Sequence, residues 1–187
     1  MKKLKFVWFI LLIFSVSIIT IAKAKNRIET TSEGDAKVKW TTIDKALAET
    51  KANNKKFIIV DLYTDWCGWC KKMDENTFTD AGVIALINTD FTIAKFNAET
   101  ADVVMFNGKS YNFTKTGARG ANQLAMELGS VGGKLGYPTL VVLDADGKKL
   151  QAFPGYKDVE TLTIILKYFQ SGSYKSMDSN NFNQDNN

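Results

Sequence analysis

The sequence predicts an α/β fold, a central mixed sheet with helices on both faces and an inserted β-hairpin. Three observations carry that expectation. Phe57-Ile58-Ile59-Val60-Asp61-Leu62-Tyr63 is a nearly unbroken apolar run, the pattern of a strand covered on both faces, so it belongs at the centre of the sheet. Helix-like segments separate it from the strand-like runs before and after it, an order that favours parallel pairing. Towards the C-terminus, Thr139-Leu140-Val141-Val142-Leu143 and Lys149-Leu150-Gln151-Ala152-Phe153 flank the turn Asp144-Ala145-Asp146-Gly147, which gives an antiparallel pair.

Taken in order, ordered structure is expected from Lys37, where Val38 and Trp40 alternate with Lys37 and Lys39 as in a short edge strand. Thr41 or Thr42 is placed to cap a helix whose apolar face carries Ile43, Ala46 and Leu47, and Asn53-Asn54 ends it. The central strand follows. Lys71 to Asn76 has no helix breaker, so a helix starts close to Cys67, and a second short helix runs from Asp80 with Val83, Ile84, Leu86 and Ile87 on its buried side. Phe91 to Phe96 reads as another strand. In the run Val103 to Phe113, Asn107-Gly108 between apolar flanks is a strong short-range hairpin signal, and this is the insertion. Thr114 to Gly120 shows no period. A helix near Ala121 to Leu128, the antiparallel pair, and a closing helix capped by Asp158 with Leu162, Ile165, Leu166 and Phe169 inward complete the domain, residues 37–171. The remainder, 172–187, is rich in Ser, Asn, Asp and Gln and is expected to be a disordered tail.

The 187 residues suffice for one domain. The formal charge of +4 arises at the N-terminus: residues 1–24 hold Lys2, Lys3, Lys5 and Lys23 and no acid, leaving 20 basic against 20 acidic residues in the rest. The remaining chain therefore has no electrostatic footprint for phosphate backbones, and no nucleic-acid partner is expected. The same segment has a basic start, an apolar stretch from Phe6 to Ala22 and the small-x-small sequence Ala22-Lys23-Ala24, the form of a secretory signal. Residues 1–24 are read as a signal peptide, with an uncleaved membrane anchor as the alternative, and 25–36 as a flexible lead. Either way the domain is expected to be periplasmic or otherwise exported.

The chain has two Cys and no His, which closes every mechanism that needs imidazole and leaves no complement of ligands for a structural zinc. Cys67 and Cys70 could be a structural staple, half of a metal site or a redox couple. A staple stabilises by closing a long loop, and for four residues chain entropy predicts only about 2 kcal/mol. In a redox couple the short spacing is useful, since the second thiolate must reach a mixed disulfide quickly. A thiol at a helix start faces unpaired amides and the positive dipole end; lowering its pKa from about 8.5 to about 7 raises the thiolate fraction at neutral pH from about 3% to about half. Cys67, nearer the helix start, is then the nucleophile and Cys70 the resolving thiol. No metal and no cofactor beyond this disulfide centre are expected.

The stretch Val60-Asp61-Leu62-Tyr63-Thr64-Asp65-Trp66-Cys67-Gly68-Trp69-Cys70-Lys71 resembles the active-site strand and helix start of the thioredoxin-like superfamily, and Gly136-Tyr137-Pro138-Thr139 resembles its cis-proline loop. Asp61 to Phe78 is most similar to the C-terminal periplasmic domain of the transmembrane thiol:disulfide interchange proteins. The resemblance implies a thioredoxin-like fold over about residues 37–170. It implies that Asp61 is a buried carboxylate assisting proton transfer at Cys70, with Lys95 as its charge partner, and that Pro138 is cis and set against Cys67. It further implies that Trp66, Gly68, Trp69, Tyr137 and Pro138 meet the substrate. Trp66 is open to either core packing or substrate contact, whereas Trp69 should be exposed. The family commonly has Pro where Trp69 stands, so a redox potential does not carry over. The implied activity is reduction or isomerisation of protein disulfides, with a separate electron donor, a membrane protein among the candidates. The alternatives are an oxidase that donates its disulfide and a partner-binding module whose Cys pair is structural.

Overall fold

The computed structural model describes residues 37–116 and 119–176; the expected signal segment, the lead and the chain from residue 177 lie outside the described residues. Five strands, β1 (Trp40–Thr42), β2 (Phe57–Tyr63), β3 (Phe91–Asn97), β8 (Thr139–Asp144) and β9 (Lys149–Pro154), form one sheet in the order β1-β3-β2-β8-β9. β1, β3 and β2 are parallel, while β8 runs antiparallel to β2 and β9 antiparallel to β8. The sheet is therefore mixed, with the apolar run β2 at its centre.

Strand periodicity divides that run between two cores. Phe57 and Ile59 point to one face and pack with α2 (Gly68–Asn76), α3 (Ala81–Asp90) and α5 (Val159–Gln170) through Met73, Ile87 and Leu166. Ile58, Val60 and Leu62 point to the other and pack with α1 (Ile43–Ala52) and α4 (Gln123–Gly129) through Ala46, Leu124 and Leu128. Each face of β2 must thus be apolar, so its sequence shows no alternation. Asp61, on the same face as Phe57 and Ile59, is the one charged residue in the strand.

Between β3 and α4 the chain makes two hairpins. The expected one pairs β4 (Val104–Phe106) with β5 (Lys109–Tyr111), and Asn107 and Gly108 both take positive φ, 49° and 75°, as its two-residue turn requires. A second pairs β6 (Phe113–Thr116) with β7 (Arg119–Asn122), where the sequence showed no period. Gly120 is needed there, because an added Cβ would stand 2.4 Å from the Phe113 ring and 2.6 Å from the Thr114 carbonyl oxygen. The two ends of this excursion meet, the Asn122 amide donating to the Ala98 carbonyl at 2.7 Å.

Two local expectations are corrected. Neither threonine caps α1 with its side chain: Thr42 occupies the cap without a side-chain bond, and Thr41 belongs to the strand and donates its hydroxyl to Glu49. The folded chain also passes Ser171. Gly172 turns with φ 79°, and Tyr174 packs on Phe57 and Phe169 at centroid distances of 5.6 and 5.1 Å, so residues 172–176 belong to the folded domain.

Candidate active site

β2 delivers the chain to the start of α2 through a tight turn in which the Cys67 amide donates to the Thr64 carbonyl at 3.0 Å. Cys67 is the N-cap of α2, and its Sγ accepts the Cys70 amide at 3.1 Å. That amide is one of the unpaired donors at a helix start, so negative charge on Cys67 Sγ is stabilised by a bond already in place and by the helix dipole. Cys67 and Cys70 form a disulfide with S–S 2.04 Å. Both are nearly covered, at 4% and 3% exposure, so burial does not rank them; the cap position does.

Asp61 and Lys95 meet as register partners across β2 and β3, with Lys95 Nζ 3.2 Å from Asp61 Oδ2. The same ammonium is held by Asp74 of α2, 2.6 Å from Oδ1 and 2.7 Å from Oδ2, and lies over the rings of Trp40 and Tyr63 at 5.0 and 4.9 Å. Asp61 Oδ1 is buried without a hydrogen-bond partner among the described residues. Burial therefore outweighs the attraction of the shared lysine, Asp74 adds repulsion, and the Asp61 carboxyl is pushed up to about 6. For Lys95 the balance differs: burial favours the neutral amine, but Asp61 and Asp74 together outweigh it and raise its pKa. Asp74 was not found from the sequence. The available signal was its place four residues after Cys70, which sets both on one face of α2.

The aromatic surroundings fall into two groups. Trp66, 54% exposed, is a surface residue and not part of the core. Its indole N–H donates to Glu99 Oε2 at 2.9 Å, its ring meets Tyr137 edge-on at 5.9 Å, and the Arg119 guanidinium from β7 lies 4.0 Å from its centroid. Trp69, exposed as expected, lies against Tyr156 at 5.5 Å, with Lys72 Nζ 4.8 Å from its ring centre. The Tyr137-Pro138 bond is cis. An added Cβ on Gly68 would meet nothing within 4 Å, so that position opens outward. Of the residues singled out by sequence, three pairs are in contact: Cys67 with Cys70, Asp61 with Lys95, and Trp66 with Tyr137. Glu99, Arg119 and Tyr156 were missed because they come from separate loops and elements with no shared spacing; Lys72 was also missed, although it stands three residues after Trp69 on α2.

The Cys67–Cys70 disulfide, closed across three positions with Cys67 capping the helix that follows the central strand, is a dithiol/disulfide centre. Residues 43–170 match the thioredoxin-like domain family, and the chain belongs to that family. It is 24% identical over 166 residues to the protein disulfide-isomerase of Ricinus communis, covering 89% of this chain and 27% of that protein, so it spans about a quarter of that relative's length. A thioredoxin-fold protein from Helicobacter pylori superposes with a TM-score of 0.53 at 17% identity, covering 79% of this chain and 84% of that one. The reduced C-terminal domain of DsbD from Neisseria meningitidis gives a TM-score of 0.44 at 17% identity, covering 65% and 88%.

Proposed function

We propose that this protein is an exported thiol:disulfide oxidoreductase that reduces or isomerises protein disulfides. The observation that carries the proposal is the Cys67–Cys70 disulfide at the N-terminus of α2, with the Cys70 amide directed at Cys67 Sγ. In the reduced protein, thiolate Cys67 attacks one sulfur of a substrate disulfide; a Cys67–substrate bond forms, the substrate bond breaks and the first substrate thiolate leaves. Cys70, deprotonated, then attacks Cys67 Sγ, closing the internal disulfide and releasing the second substrate thiolate. Two electrons pass to the substrate, which leaves as a dithiol once two protons are taken up.

Asp61 is the proposed proton acceptor for Cys70, and a carboxyl at about 6 is suited to it, being able to hold or release a proton near neutral pH. Lys95 keeps that carboxylate from being an isolated buried charge. Tyr137, before the cis-proline, and Trp66, Gly68 and Trp69 are the proposed substrate surface. Export rests on the basic and apolar N-terminal sequence ending in Ala22-Lys23-Ala24. The oxidised form requires a dithiol donor from another protein, with a membrane protein suited to an exported partner.

The reductive direction is favoured by the absence of His between the cysteines, where a cation would stabilise the thiolate further. Equilibration with glutathione tests it. A potential of about −270 mV supports a reductase, and about −120 mV overturns that in favour of a disulfide donor. Catalysed reduction of insulin disulfides by wild type and its loss in Cys67→Ser test the activity itself. Partners trapped as mixed disulfides by Cys70→Ser identify the substrates.

A further inference from the structure

The two exposed indoles beside the disulfide share an arrangement that neither fold nor redox chemistry requires. Each carries a cation on its face: Arg119 over Trp66 at 4.0 Å and Lys72 over Trp69 at 4.8 Å. The two cations come from unrelated elements, β7 of the second hairpin and the first turns of α2. Trp66 leans on Tyr137 before β8 and Trp69 on Tyr156 after β9, and the two loops are joined by the Gly155 amide donating to the Pro138 carbonyl at 2.8 Å.

The neighbouring carboxylates occupy these cations only in part, Glu99 forming one long ion pair with Arg119. Glu99 accepts the Trp66 indole N–H at 2.9 Å, and its other oxygen is 3.9 Å from the Arg119 guanidinium, too long for a hydrogen bond. Asp65 accepts from Asn97. Among the described residues no carboxylate forms an ion pair with Lys72. The Arg119 side chain is 61% exposed, and its guanidinium carbon lies over the indole face. A flat, oriented cation beside a nucleophile is a receptor for a carboxylate.

We propose that Arg119 and Lys72 make this site select polypeptide disulfides flanked by acidic residues, with Trp66 and Trp69 as platforms that hold the two cations beside Cys67. Arg119 and Lys72 are specificity-determining residues that act on substrate binding, not on the sulfur chemistry. This inference rests on the oxidoreductase reading of the same site. It also gives the second hairpin a use, since β7 supplies Arg119.

The test uses the full-length reduced protein and three synthetic peptides, each with one intramolecular disulfide and flanked by Glu, Gln or Lys, with hydroxyethyl disulfide as an uncharged small substrate. The Glu peptide is expected to exceed the Lys peptide in kcat/KM by about five- to tenfold at low salt, through KM, with the preference shrinking as salt is added. Arg119→Gln and Lys72→Gln should each remove part of the preference and the double variant all of it. Lys45→Gln, the same charge change on α1 across the sheet, should leave it intact. Equal kcat/KM for all three peptides alongside exchange with hydroxyethyl disulfide overturns the selectivity and leaves the oxidoreductase reading standing. Failure to exchange with any disulfide overturns both. A preference that survives in the double variant assigns it to other groups and also overturns the proposal.

Discussion

Two lysines in this molecule sit in nearly the same company and do different work. Lys95 lies 4.9 Å from the Tyr63 ring and 3.2 Å from the Asp61 carboxylate; Lys109 lies 4.4 Å from the Tyr111 ring and 2.9 Å from Glu127. The Lys109–Glu127 contact is shorter than the Lys95–Asp61 contact. Yet it is the Lys95 cluster that moves a carboxyl to about 6, because the Asp61 side chain is 1% exposed whereas that of Glu127 is 53% exposed. In the open cluster the hydrogen bond from Lys109 lowers the Glu127 pKa, the ordinary outcome of an ion pair in water. In the closed one, desolvation reverses the sign despite a cation in contact. Burial, not proximity, decides whether a carboxylate holds a proton near neutral pH.

Substitutions can break that contrast, and the largest effect is expected from Asp61→Asn. A folded-state pKa of about 6 against 3.8 means that the folded state binds the proton more tightly. The stability from this group is full below the unfolded value and is lost as pH rises through about 6. A shift of about two units corresponds to about 3 kcal/mol, so the variant should be more stable than wild type by up to that amount at pH 8. The gain should vanish below about pH 4 in urea denaturation. A pH-independent difference would refute the assignment.

Lys95→Met comes next, with an expected loss of about 2 kcal/mol at pH 7, below the usual range for a broken buried pair. Asp61 can take up a proton instead of standing unpaired, which limits the cost. The loss should therefore be smaller at pH 5 than at pH 8. Asp74→Asn, at a partly exposed position, should cost less than about 1 kcal/mol while lowering the apparent pKa of Asp61, since a repelling neighbour is removed. NMR titration of the Asp61 carboxyl carbon would detect that. Lys109→Met, at an exposed pair, should lower the denaturation midpoint only slightly and equally at pH 5 and pH 8, and a loss that differs between the two would undo the comparison.

The same contrast marks what could be read from the sequence. β2 was legible because a strand covered on both faces must be apolar at every position, and the β4–β5 turn because Asn107-Gly108 supplies two positive φ angles locally. The helix start at Cys67 followed from the unbroken residues after it. Asp61 and Lys95 were reached by resemblance, since their pairing depends on the register of β2 against β3, thirty-four positions apart in the chain. Asp74 and Glu99 were not reached, because what makes them matter is convergence on Lys95 and Trp66 and not any local pattern. The β6–β7 hairpin escaped notice for a related reason: Gly120 is there to let Phe113 lie over it, so the strand lacks alternating apolar side chains.

The bond between Asn122 and Ala98 closes the double hairpin at its neck. Asn122 reinforces the closure, its side-chain amide donating to the Asp102 and Tyr111 carbonyls and its side-chain oxygen capping α4. Chain entering at Ala98 leaves at Asn122 almost where it began, so apart from the core anchors Phe106 and Tyr111 the length between them can change without moving the register of β3 or the start of α4. Loop-closure entropy grows slowly with length, which makes such a neck tolerant of insertion. The sulfur centre and the arginine beside it are thus written in separable parts of the gene. Mutation and selection can revise the excursion that carries Arg119 while the strand and helix that carry the disulfide stay as they are.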